Sequence, residues 1–176
     1  SNQAVGTPLH VRQAPETVVQ AQFSICYAIA CALVQGEVGL ADFSVDALTR
    51  PDIRALTATV TPVVDTDIER IWGRNVGPTR IEAVVDGKTY RVQVDEAKGG
   101  PGQPMTAGDL QRKLSDCLRF GGFDPRNAAV FEQGIDGLLG CTDVAAAFRR
   151  ASDDVRRAPA GRERPALAIW TVPPMF

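Results

Sequence analysis

Two short segments of this chain carry side chains able to do chemistry. The first covers residues 22–33, QFSICYAIACAL, where Ser24 and Tyr27 stand three apart in an apolar run. On a helix that spacing sets a hydroxyl and a phenol one turn apart on a shared face. A phenol is neutral at pH 7 and both donates and accepts, so Tyr27 is a candidate for chemistry. The same residues also describe a core helix whose phenol bonds a backbone carbonyl. The second segment is residues 98–104, KGGPGQP. Lys98, at its start, can meet a carboxylate substrate, although most Gly/Pro loops merely connect elements.

Other catalytic signatures are absent. The Lys98 loop lacks the Gly-Lys-Ser/Thr ending of a phosphate loop, and there is no dinucleotide fingerprint or nucleophile elbow. The single histidine, His10, has no carboxylate nearby to orient it and reads as structural or surface. Cys26, Cys31, Cys117 and Cys141 form no Cys-x-x-Cys pair, so no metal site is expected and buried free thiols account for them. No cofactor is implied.

The elements that would position Ser24, Tyr27 and Lys98 follow from patterning. Residues 5–11 read as a strand. Pro15 suits a helix start, and the helix runs to about Gln35, where Gly36 ends it. That helix is apolar nearly all round in its later part, so it is central to a fold or covered by another domain. Ser44 caps a short helix through Leu48, Pro51 opens another, and β-branched residues 57–64 read as a strand. Residues 65–78 are ambiguous. Asp86-Gly87 is the turn of a hairpin spanning residues 80–95, with Tyr90, Val92 and Val94 on a packed face. A Thr106-x-x-Asp109 cap precedes a helix carrying Leu110, Leu114, Cys117 and Leu118 on one stripe. Asp124-Pro125 starts another helix, with Ala128, Phe131 and Ile135. Thr142 caps a last helix through Arg150. The expected fold class is α+β, a small antiparallel β-sheet packed against helices, in one domain over residues 1–157. Residues 158–176 read as a linker and an apolar tail.

Composition narrows the function classes. The chain has 176 residues, 44% hydrophobic, and a formal charge of −2. That balance argues against nucleic acid as the partner. Six arginines between 149 and 164 stand against three acids there. They read as a solvated helix end, with an anionic partner as the alternative. The longest apolar run, residues 23–34, is well short of the about 20 residues a membrane span needs. No basic-then-apolar start marks a signal peptide, so a cytoplasmic location is expected. Ser1 and Asn2 read as an expression scar, with the natural start upstream.

Taken in order, these segments resemble the carboxy-terminal half of the MmgE/PrpD family, which includes 2-methylcitrate dehydratase, cis-aconitate decarboxylase and iminodisuccinate epimerase. The resemblance runs from Pro15-Glu16-Thr17 through QFSICYAIACALVQGEV (22–38), Asp42-Phe43, Pro51-Asp52-Ile53 and the Asp86-Gly87 turn. It ends with KGGPGQPMTAGDLQRKLSDC (98–117). It implies a two-domain subunit, in which a helical N-terminal domain carries most of the active site and this α+β domain closes over it as a lid. Tyr27 matches the tyrosine of the family's Phe-Ser-x-x-Tyr stretch, which faces the cleft, so the resemblance implies a catalytic role for it, as a hydrogen bond to a substrate carboxylate or a proton relay, with Ser24 on the same face as a substrate-binding residue. The implied substrates are small di- or tricarboxylates, undergoing dehydration, decarboxylation or epimerisation, often without a metal. His10 matches no catalytic position of the family.

Three functions compete on this basis: a lid domain of a lyase or isomerase, a noncatalytic binding or assembly module, and a free-standing enzyme. The resemblance favours the first, and the residue inventory disfavours the last. A lid without its partner exposes an apolar surface, so homo-oligomers are expected.

Overall fold

The computed structural model describes residues 6–72 and 77–157, which fall into two compact units, Ser1–Thr106 and Ala107–Phe176. The fold is α+β, helices with one two-stranded antiparallel sheet. No helix among the described residues is long and apolar enough to cross a membrane.

The first unit opens with α1 (Leu9–Gln13), α2 (Val18–Gln22) and α3 (Ile25–Gln35). The strand expected at 5–11 is therefore not formed. α1 is a short helical turn, Val11 and Arg12 donating to the Pro8 carbonyl. It is tied down by tertiary bonds, since the Gln13 side chain donates to the Val60 carbonyl at 2.8 Å. Such context overrides the β preference of isolated residues. The single helix expected from Pro15 to Gln35 is also two helices. Thr17 caps α2 by accepting from Gln20 N–H. The chain then leaves helical geometry at Ser24 (φ −108°, ψ 110°), which caps α3. Serine competes well for backbone N–H groups and so marks helix starts. Gly36 ends α3 as expected, in the left-handed conformation at φ 83°.

Ser44 caps α4 (Val45–Leu48), and Pro51 opens α5 (Pro51–Thr57), both as the sequence indicates. The small residues Ala30 and Cys31 on α3 let α5 approach, and Ile53 fills the space between them, fully buried. Tyr27, Ala21 and Leu48 complete this core, with Phe43 and Leu56 at its edge. Burying a side chain such as Ile53 contributes about 2–3 kcal/mol. The strand expected at 57–64 does not form. Thr57 is the last residue of α5, its hydroxyl donating to the Ile53 carbonyl at 2.7 Å, and the chain beyond, containing Pro62, is irregular. The ambiguous stretch resolves into α6 (Thr66–Trp72), whose N–H groups at Asp67 and Ile68 donate to the Asp65 carboxylate.

The hairpin forms as read. β1 (Thr79–Val85) and β2 (Lys88–Val94) pair antiparallel through Asp86 (φ 51°) and Gly87 (φ 76°). Ile81 faces Val92 and Ala83 faces Tyr90, so these apolar residues share a face. All of β2 is exposed, however, and only Ile81 and Ala83 of β1 are half-buried. The packed face expected for Tyr90, Val92 and Val94 is thus uncovered among the described residues.

In the second unit, α7 (Ala107–Phe120) turns a narrower stripe inward than expected. Leu118 is buried and Leu114 half-buried, whereas Leu110 and Cys117 are exposed. Asp124 caps a 3-10 turn leading into α8 (Ala128–Asp136). Asp143, not Thr142, accepts from an N–H in the first turn of α9 (Val144–Arg157), which runs past the expected end at Arg150. Gly134 of α8 lies so close to α9 that a Cβ there would sit 2.5 Å from the Ala151 Cβ. The expected linker and tail, residues 158–176, lie outside the described residues.

Candidate functional site

Ser24 and Tyr27 are held together by the start of α3. The Ser24 hydroxyl accepts from Tyr27 N–H at 3.0 Å and donates to the Arg12 carbonyl, and Ser24 is only 2% exposed. Its oxygen thus locks α1 to α3. The Tyr27 ring is 1% exposed and rests against Phe43, with centroids 5.9 Å apart. Its hydroxyl donates to the Asp42 carbonyl at 2.7 Å. Burial, foremost, and then the neighbouring Cys31 and Asp42 push the phenol above its ordinary value, so it stays neutral at physiological pH. Burial likewise pushes up the thiols of Cys26 and Cys31. All four cysteines are free, but only these two are buried, so the expectation of four buried thiols fails for Cys117 and Cys141.

Beyond Tyr27 a polar chain runs outward. The Asp42 carboxylate accepts from Gly39 N–H at 2.7 Å and from the Gln35 amide at 2.6 Å. The Gln35 carbonyl oxygen accepts from Arg50 at 2.8 Å, and Arg50 forks onto Asp52. A buried neutral phenol is thereby anchored to a segment that an exposed ion pair holds in place. Asp52 is kept below the usual carboxylate range by its hydrogen bond from Arg50.

Tyr27 and Leu48 also border a cavity of about 160 Å³. Gln13, Ala14, Pro15, Arg54, Thr57 and Ala58 complete its lining. Lys98 does not line it.

Lys98 belongs to a separate structure, a loop built around Glu96. Gly102 N–H donates to the Glu96 carboxylate at 2.8 Å, and Gly99 N–H donates to the Gln103 carbonyl at 2.7 Å. Gly99 has φ 97°. A Cβ at Gly100 or Gly102 would lie 2.2 Å from a Glu96 oxygen, so a side chain at either position would push the folded-in acid aside. The sequence reading missed both Glu96 and Arg54. Glu96 just ahead of Gly-Gly-Pro-Gly was a visible signal; Arg54 gave none. His10 is exposed, which fits a surface role. Among the described residues no group of three or more His, Cys, Asp and Glu stands close enough to hold a metal.

Residues 3–135 match the family described as the MmgE/PrpD C-terminal domain. The chain belongs to the MmgE/PrpD family. The matched stretch of this MmgE/PrpD domain includes the Ser24–Tyr27 pair, the polar chain to Arg50, the hairpin and the Glu96 loop, and it stops one residue before the end of α8. No protein of curated function matches the chain.

Proposed function

We propose that this domain is the C-terminal lid of a lyase or isomerase acting on small di- or tricarboxylates, in the manner of a 2-methylcitrate dehydratase, and inactive without a helical N-terminal partner domain. The observation that carries the reading is the family match across residues 3–135. Tyr27 is the catalytic candidate. Its phenol stays protonated, and its O–H must leave the Asp42 carbonyl to reach a substrate, so the proposed role is a neutral hydrogen bond rather than a base. Ser24, expected to bind substrate, is buried with its hydroxyl between Tyr27 N–H and the Arg12 carbonyl, so it is proposed as a positioning residue for Tyr27 instead. Lys98, exposed on a loop of fixed shape, is the candidate for substrate binding.

The test is reconstitution. The chain alone, its N-terminal partner alone and the mixture are assayed on 2-methylcitrate and cis-aconitate. Turnover only in the mixture supports the proposal, and turnover by the isolated chain defeats it. Normal turnover by the Tyr27→Phe mixture removes Tyr27 from the site.

A second reading, a noncatalytic binding or assembly module, draws on the Tyr27 and Ser24 hydroxyls being spent on backbone groups. A mixture that associates but turns over neither acid favours it. In both readings the apolar side chains at the surface, such as Phe23, Leu33 and Val45, predict self-association of the isolated chain. Light scattering should find dimers or larger species, and a monomer at high concentration would refute this.

A further inference from the structure

The cavity beside Tyr27 has one charged residue in its lining. The Tyr27 hydroxyl is taken by the Asp42 carbonyl, the Thr57 hydroxyl by the Ile53 carbonyl, and the Gln13 amide N–H by the Val60 carbonyl. The rest of the lining is Leu48, Ala14, Pro15 and Ala58. Arg54 is different. It is exposed and lines the cavity, the only lining residue that carries a charge. The other described arginines of this unit are engaged. Arg50 holds Asp52, Arg70 holds Asp67, Arg80 holds Asp65, Arg91 holds Glu82, and Arg12 donates to the Thr7 carbonyl. Among the described residues, no acid or carbonyl partners the Arg54 side chain. The nearest acid in sequence, Asp52, is occupied by both nitrogens of the Arg50 fork.

An apolar pocket lined by a single unpaired arginine selects a particular ligand. Guanidinium pairs with carboxylate through two parallel hydrogen bonds. The apolar lining accepts hydrocarbon and offers a second charge no partner. The volume corresponds to roughly five water molecules at about 30 Å³ each. We propose that this cavity binds a carboxylate carried on a short hydrocarbon body, with Arg54 clamping the carboxylate and the chain resting on Leu48, Pro15 and the Tyr27 ring. The inference goes beyond the proposed function: this is a site for a single carboxylate, separate from the one that would take a di- or tricarboxylate substrate.

The experiment titrates the isotope-labelled chain with butyrate, following backbone amides by NMR. Butanol, which lacks the charge, and acetate, which lacks the chain, are titrated in parallel. Butyrate should shift the amides of Gln13, Ala14, Arg54 and Ala58 saturably, and more tightly than either control. Arg54→Gln should weaken butyrate binding by roughly tenfold or more, the scale of a lost charge-assisted pair. Arg54→Lys should recover part of it, and Arg91→Gln should change nothing. Arg54 is exposed, so these variants should fold, and matching amide spectra away from α5 verify it. No saturable shift, shifts mapping elsewhere, or equal binding by Arg54→Gln would overturn the inference. None of those results bears on the reconstitution assay, whose failure would strike the lyase reading instead.

Discussion

Tyr27→Phe isolates one hydrogen bond. The ring keeps its place against Phe43, so no cavity opens. What disappears is the O–H donated to the Asp42 carbonyl at 2.7 Å, from a side chain 1% exposed. Leaving that carbonyl short of a partner should cost about 1–2 kcal/mol. Urea denaturation at pH 7 should show a lower midpoint with an unchanged slope. The pH dependence sharpens the test. The folded state holds the phenol above its ordinary value of 10.0, so the stability tied to the neutral phenol is complete below that pH and is lost as pH rises through the raised value. Phenylalanine has no such proton. The gap between wild type and variant should therefore narrow above about pH 10. A residual alkaline loss should persist in both from Cys26 and Cys31, whose thiols are also raised, from 9.0. An unchanged midpoint at pH 7 would refute the bond to Asp42. A loss of about 3–5 kcal/mol, as for deleting a whole aromatic side chain, would show that the ring had moved.

Ser24→Ala removes both the α3 cap and the tie to Arg12, and should cost about 1–2 kcal/mol, read as a fall in Tm. Gly100→Ala should destabilise by expelling Glu96 from its loop, yet be nearly neutral in a Glu96→Ala background, and a double-mutant cycle measures that coupling. Gly134→Ala sets a helix-propensity gain of about 1 kcal/mol against overpacking of about 1–3 kcal/mol, because the new Cβ meets Ala151. Net loss is expected in denaturant unfolding, and Ala151→Gly should reverse most of it.

The parts legible in the sequence were those where one residue type dictates the local backbone. Asp86-Gly87 could only make a tight hairpin turn, Gly36 could only end a helix cheaply, and Ser44 and Pro51 began helices where expected. The errors fell where tertiary bonds decide. Residues 9–13 are helical, held by the Gln13–Val60 and Ser24–Arg12 bonds that join segments distant in the chain. The β-branched run after Thr57 had no neighbouring strand to pair with, and Pro62 within it lacks an N–H. At the candidate site, the spacing of Ser24 and Tyr27 anticipated that they stand together, and the core alternative for the phenol named its partner class, a backbone carbonyl. Arg54 was invisible because what distinguishes it is the absence of a partner, and the competition of Arg50 for Asp52 exists only in three dimensions.

The loop around Glu96 has a further thermodynamic meaning. Its shape comes from an acid of its own stem, bound by its own backbone, rather than from anything that docks against it. The conformational entropy of ordering residues 97–103 is thus surrendered during folding. A molecule that later reaches Lys98 meets a rigid receptor, and its binding free energy is not drained by loop ordering.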